Sequence, residues 1–272
     1  MQDKPYRFTL GLFNCLVFND YQQEYMYQEL AYNLSDKDLT RMLSSHGLQG
    51  HRTIMDYNVL LIDTGKQTVL VDAGIRGGTL KEQMQSVGIP PAEIDLIYLT
   101  HADSDHVGGL VDENGRESFP NARIVMWERM WDLWSAEKAL AENEDAPEFF
   151  IRHVVPVIKE RVEPVALDTE FLPGFQAIFG RGHSAGHSAL RITSASETLF
   201  HIGDAVHHLL HIAHPELLCS WDRAPEEVVS TRRQLLRRAA DENALVFGSH
   251  LPFPGLGWIT AKENGWQWQA MR

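Results

Sequence analysis

The sequence predicts an α/β (α+β) protein in which two β-sheets pack face to face beneath an outer cover of helices. Three observations carry that expectation. Strand-like apolar segments fall in two blocks, each followed by helical stretches. Burying that many apolar strands is most stable when sheet lies on sheet and helices cover the outside. The side chains best suited to hold a metal all come just after strands, where loops on a rigid scaffold carry function. With 272 residues and 44% hydrophobic content, the chain can bury a substantial core.

Taken in order, Phe8–Phe18 and Met55–Ile62 read as strands, and Thr68–Val71 continues the second as a hairpin across Gly65-Lys66. Between the first two lies an aromatic and polar stretch from Tyr21 to Gly50, carrying Tyr21, Tyr25, Tyr27 and Tyr32. Within it, Ser35 followed by Asp38 marks a helix start. Pro90 opens a turn into the apolar strand Ile94–Leu99. Arg123–Trp127 is the next strand, and a helical stretch bearing Trp131 and Trp134 follows. Phe149 to Lys159 is ambiguous because Pro156 interrupts it. The second strand-rich block comprises Val162–Ala166, Phe175–Phe179, Ala189–Thr193 and Thr198–Ile202. Pro225 and Glu226 open a helix to about Ala240, with Val228, Leu235 and Ala239 at helical spacing, and Ala244–Phe247 is read as the last short strand. No repeat, low-complexity tract or linker divides the chain. Residues 1–272 are therefore expected to form one domain with an insertion at about 21–50.

The formal net charge of −13 argues against a nucleic-acid partner but excludes no small anion, because bound cations would make a site locally positive. Cys15 and Cys219 form no C-x-x-C pair and read as small buried residues. The N-terminal residues lead into a strand with no signal-peptide apolar region, and no apolar run approaches ~18 residues. The expectation is a cytoplasmic protein with a small-molecule substrate and no nucleic-acid or membrane partner. The aromatic insertion is a candidate homodimer contact.

The most informative stretch is Thr100-His101-Ala102-Asp103-Ser104-Asp105-His106-Val107-Gly108-Gly109. Its ligand types fall at His-x-Asp-x-Asp-His spacing after an apolar strand. An extended lead-in would project His101, Asp103 and Asp105 to one side, with His106 approaching from another. The two glycines would let the backbone turn and pack close. Three further turns follow strands: Gly182-His183, Gly203-Asp204 and Ser249-His250. Singly each is commonplace; together they point to a metal site and hydrolytic chemistry. A P-loop, a dinucleotide fingerprint and a G-x-S-x-G nucleophile are all absent from the sequence.

These four stretches, with Leu70-Val71-Asp72-Ala73-Gly74 ahead of them, resemble the metallo-β-lactamase superfamily, whose pattern is T-H-x-H-x-D-H, G-H, G-D and a late histidine. The resemblance implies a four-layer αββα sandwich of two mixed β-sheets flanked by helices. It also implies a dinuclear centre at one sheet edge. By position, His101, Asp103 and His183 would hold one metal and Asp105, His106 and His250 the other. Asp204 would bridge, and Asp72 would orient the histidine loop. A bridging aspartate and the run from Gly203 through His214-Pro215 to Pro252 look most like the lactonase and methyl-parathion-hydrolase-like group.

What the resemblance implies is a metal-dependent hydrolase in which a bridging hydroxide opens a lactone or a related carboxylic ester. Asp105 would take the proton after attack. His207, where related lactonases place a tyrosine, would donate to the substrate or leaving group. Phosphotriester or thioester hydrolysis, an iron-dependent oxidoreductase of the same fold and a structural metal module are the alternatives. One departure stands out: Asp103 replaces the pattern's second histidine. A third carboxylate lowers the net charge of a two-cation centre and favours harder ions. Zinc is expected because four imidazoles remain, with Mn2+ or Fe2+ as alternatives. The other tail histidines, His208, His211 and His214, read as part of a partly solvated loop or helix, and His187 as a support for its loop. The Tyr21–Tyr32 insertion and the Trp127, Trp131 and Trp134 cluster are candidates for pocket wall, against the commoner use of such stripes in cores.

Overall fold

Fourteen strands form two seven-stranded mixed sheets in the computed structural model, which describes residues 4–271. The first sheet runs in chain order: β1 (Tyr6–Leu10), β2 (Phe13–Met26), β3 (Arg52–Asp63), β4 (Thr68–Val71), β5 (Leu96–Leu99), β6 (Arg123–Trp127) and β7 (Val162–Val165). Its first four strands pair antiparallel and the rest parallel. The second sheet holds β8 (Glu170–Leu172), β9 (Phe175–Phe179), β10 (Ser188–Ser194), β11 (Glu197–His201), β12 (Leu245–Phe247), β13 (Leu256–Lys262) and β14 (Gly265–Ala270). Only β11 and β12 pair parallel in it. The helices are α1 (Tyr27–Leu30), α2 (Asp36–Ser45), α3 (Leu80–Ser86), α4 (Ser104–Val107), α5 (Glu128–Trp134), α6 (Ala139–Glu142), α7 (Val155–Ile158), α8 (Leu209–Ala213) and α9 (Pro225–Asp241).

The period-two alternation of strand side chains sorts the layers. Val17, Leu60 and Ile62 face Phe175, Leu190 and Leu199 between the sheets. Their neighbours Leu16, Phe18 and Leu61 point the other way, under Leu80 and Met84 of α3 and Met130 of α5. On the far side, Phe200 and Val246 meet Leu235, Leu236 and Ala239 of α9. Each sheet is thus buried on both faces, the four-layer sandwich expected from the sequence.

Several expectations are corrected. Phe8–Phe18 is not one strand but the hairpin β1–β2, which turns at Gly11-Leu12. The stretch 21–50 begins as strand, because Tyr21–Met26 pair with Arg52–Tyr57 before the chain reaches α1 and α2. Ser35 does cap α2, accepting from the Asp38 backbone nitrogen. Residues 162–165 join the first sheet, parallel to β6, rather than opening the second. Pro156 sits in the first turn of α7, where its missing N–H is not needed, after an irregular turn over Phe150–Val154. The strand Leu245–Phe247 is not the last, since β13 and β14 follow and carry Trp258, Trp266 and Trp268. Neither those strands nor β8 had been expected. Among the described residues no helix is long and apolar enough to cross a membrane.

Candidate metal centre

The seven ligand candidates converge from four segments at one end of the sandwich. The first segment follows β5. His101 and Asp103 are extended, but Ser104 starts the one-turn helix α4, so the alternation expected through Asp105 stops at Asp103. The helical turn, not a strand, presents Asp105 and His106. Gly108 and Gly109 serve close packing: a Cβ at Gly109 would lie 2.0 Å from the Ala73 carbonyl oxygen. That approach presses the His106 loop onto Asp72, which adopts φ 63°, an uncommon conformation that aspartate tolerates. His183 comes from the loop before β10, Asp204 from the turn after β11, and His250 from the turn after β12.

The Asp204 carboxylate lies at the centre. Its Oδ1 is 3.2 Å from His106 Nε2. Its Oδ2 is 3.2 Å from His250 Nε2, 3.3 Å from His207 Nε2, 3.6 Å from His183 Nε2 and 3.7 Å from His101 Nε2. Asp105 Oδ2 stands 3.4 Å from both His106 and His250 Nε2, and Asp103 Oδ2 3.2 Å from His183 Nε2. All these residues are buried except Asp103 and Asp105, which open to a cavity.

Each of the four imidazoles is held from behind through Nδ1. His106 pairs with Asp72 at 2.8 Å, His250 with the Asp56 carbonyl at 3.0 Å, His183 with Asp222 at 3.4 Å and His101 with Thr100 Oγ1 at 3.0 Å. An acceptor behind Nδ1 places the proton there and leaves the Nε2 lone pair facing inward, the arrangement usual for metal-ligating histidines. Asp72 also accepts from the Thr100 backbone and hydroxyl, and Asp222 from the Cys219 backbone. Asp222 and the buried Arg232 of α9 stand 3.7 Å apart, and Arg232 donates to the Ala205 carbonyl beside Asp204. His187 holds the Asp204 backbone nitrogen at 3.0 Å, the supporting role read from its sequence position. Asp222 and Arg232 carried no sequence signal, since neither belongs to a motif.

Electrostatics agree with a cation-holding cluster. Burial opposes ionisation of Asp204 and Asp105, yet the surrounding imidazoles hold both well below the usual carboxylate range. Burial would lower His183 and His250, but hydrogen bonds and charges from Asp103, Asp204, Asp222 and Asp105 raise them to about 10 and about 9. His101, buried beside His106, falls to about 4. The carboxylates stay ionised and demand positive charge. The Nε2 atoms of His101 and His106 and Asp204 Oδ1 have no hydrogen-bond partner although buried. Orphaned buried donors and acceptors are costly, and a divalent ion satisfies them. Three sets of ligand atoms each lie within 4.8 Å of one another: Asp105, His106, Asp204 and His250; His101, Asp103 and His183; and His183, Asp204 and His207. The residues present therefore fit divalent cations.

His207, His208 and His211 are buried rather than in a partly solvated loop. His208 caps α8 by accepting from the Leu210 nitrogen, and His211 Nε2 donates to the Leu30 carbonyl at 2.7 Å. Above the cluster opens a cavity of about 250 Å3, walled by Tyr25, Met55, Tyr57, Ile75, Trp221 and Arg223. Tyr25 alone of these was singled out in the sequence. Trp127 and Trp134 are buried and Trp131 packs on the same core as Trp134, so that cluster serves the core, not the cavity. A larger hollow of about 870 Å3 beside Trp258 and Trp268 has no ionisable lining residue.

Residues 52–250 match the pattern of the Metallo-beta-lactamase superfamily. The chain belongs to this superfamily. Among metallo-β-lactamase relatives, N-acyl homoserine lactonase AiiA of Bacillus thuringiensis subsp. kurstaki is 26% identical over 208 residues, 70% of this chain and 76% of AiiA. An uncharacterised Bacillus subtilis (strain 168) protein, YobT, is 28% identical over 130 residues; the match covers 47% of this chain and 54% of that protein. The solved structure of AidC, a dizinc quorum-quenching lactonase in complex with a product, superposes with a TM-score of 0.89 at 25% identity, covering 99% of this chain and 98% of AidC. With such relatives and this cluster, the metallo-β-lactamase chain described here is an enzyme of the hydrolase kind.

Proposed function

We propose that the protein is a two-cation hydrolase that opens a lactone or cleaves a related carboxylic ester. The observation that carries this reading is the convergence of five imidazole Nε2 atoms and two further carboxylates on Asp204 beneath an apolar-walled cavity. His101, Asp103 and His183 would hold one divalent cation and Asp105, His106 and His250 the other, with Asp204 shared between them. Zinc suits four imidazoles, and AidC is described as dizinc. When bound, the cations would supply a nucleophilic water of lowered pKa and polarise the scissile carbonyl.

The chain's own residues do the rest. Asp105 opens to the cavity and would take the proton lost by the attacking water at its free oxygen. His207 is buried beside Asp204, 3.3 Å from it, and would donate a hydrogen bond to the substrate or leaving group. The apolar wall of Met55, Ile75 and Trp221 would exclude water and hold an acyl or alkyl portion. Arg223 at the rim, 3.6 Å from Asp145, would meet a polar head. The substrate class is supported by the likeness to the N-acyl homoserine lactonase and to AidC.

A hydrolysis screen over lactones, carboxylic esters, thioesters and phosphotriesters tests the proposal. Turnover of lactones or esters, lost in Asp204→Asn, supports it. Preference for a phosphotriester would move the substrate class while keeping the centre. Asp103 gives an iron-dependent oxidoreductase its one foothold, and tightly held iron with oxygen consumption would overturn the hydrolase.

A further inference from the structure

Away from the ligand cluster, two other histidines meet across the seam between α2 and α8. His46 caps the C-terminus of α2 and His214 that of α8. Their Nε2 atoms lie 3.3 Å apart, with the rings crossing at 75°. The opposite nitrogen of each ring faces an acceptor. His46 Nδ1 is 3.0 Å from the Met42 carbonyl oxygen, which only accepts, so this nitrogen carries the proton; Ser45 Oγ lies 3.3 Å from it as well. His214 Nδ1 faces the Glu216 carboxylate at 3.6 Å. With Nδ1 facing the Met42 carbonyl, the His46 Nε2 lone pair is turned on His214 Nε2, and two nitrogens so placed either share a proton or hold a cation between them.

We propose that His46 and His214 form a second, exposed cation site for a borderline divalent ion such as Zn2+. The 3.3 Å separation suits two nitrogens each about 2.0–2.1 Å from one tetrahedral ion. An acceptor behind each imidazole repeats the arrangement that orients the histidines of the main cluster. His46 is exposed and the His214 side chain 30% exposed, so ion and completing waters have free access. The helices beneath already share one apolar cluster, in which Leu39 and Leu43 of α2 pack with Leu210 of α8. A bound ion would staple that contact between α2 and α8.

The test is calorimetric titration of the enzyme with ZnCl2, starting from protein as purified with its metals and freed of unbound ion. One further saturable equivalent per chain is expected. His46→Gln and His214→Gln should each weaken it about tenfold or more, a change of roughly 1.4 kcal/mol. Both side chains lie at the surface, so the variants should keep the circular dichroism and hydrolytic rate of the parent. No further equivalent, the result a proton shared between the two rings would give, overturns the site. So does an equivalent that persists undiminished in either variant. Neither outcome touches the main cluster, because the two substitutions lie outside it.

Discussion

The ligand cluster and the cavity wall above it are built in opposite ways. The cluster is polar, buried and held twice over: its imidazoles touch the carboxylates in front and an acceptor behind. The wall is a set of side chains from β2, β3 and two loops, packed by contact and edge-on stacking, with Tyr25 on Trp221 at 4.9 Å and Tyr57 on His250 at 4.9 Å. Only the Tyr25–Tyr57 hydroxyl contact, at 2.5 Å, ties two wall residues by a hydrogen bond. A network of buried polar groups tolerates no missing member, whereas an apolar surface tolerates exchange. Chemistry should therefore fail sharply on cluster changes, and specificity should drift on wall changes.

The largest effect is expected at the centre. Asp204→Asn should lower kcat/KM by more than the roughly 100-fold that marks the upper end for partners behind the ligands, and lower the bound metal with it. Elemental analysis alongside steady-state kinetics checks both. Full activity in that variant would remove the shared ligand from the account.

Next comes α8 beside the cluster, where His208 caps the helix and stacks edge-on to Tyr27. Burial lowers the His208 pKa from 6.5 to about 4. The unfolded chain then binds the proton more readily, so stability is full above about 6.5 and is lost as the pH falls toward 4. The loss should be about 3 kcal/mol at most, on the scale of 1.36 kcal/mol per unit. Chemical denaturation at a series of pH values reads it, and His208→Asn should flatten the slope.

Smaller again are the partners behind the imidazoles. Asp72→Asn and Asp222→Asn should each weaken metal binding by about 10–100-fold while leaving the fold intact. If Asp222→Asn binds metal as the parent does, the 3.4 Å contact to His183 is only packing. The wall should respond least. Tyr57→Phe should raise KM about fivefold, the worth of one hydrogen bond near 1 kcal/mol, with metal content unchanged. A fall in metal content there would erase the distinction between the two regions.

That distinction also explains what was legible in the sequence. The clustered His and Asp side chains could be read because each sits just past an apolar strand, and strand ends deliver loops to a common edge. Asp72 could be read for the same reason. Its partner in role, Asp222, could not, because it lies in a loop before α9 and meets His183 only through the folded chain. Tyr57 and Met55 fall in a strand that was expected, but the face on which Tyr25 of β2 emerges beside them depends on the Asn19/Tyr21 register shift, where Asp20 is the extra residue. One extra residue in a ladder turns the following side chains to the other face, and nothing local announces it. The helical turn at Ser104 was missed for a similar reason: four residues are too few to show a helical period. Strand β14 alternates polar and aromatic residues, but β13 shows no clean period of two, so the pair gave little strand signal.

The central claim is that Asp204 sits between two cations that make the protein a hydrolase. Elemental analysis of the purified enzyme, paired with a lactone assay before and after chelation, tests it most directly. The account predicts two divalent ions per chain, hydrolysis lost on their removal and regained when they are returned. A chain that holds no tightly bound metal and hydrolyses undiminished in the presence of chelator would contradict it.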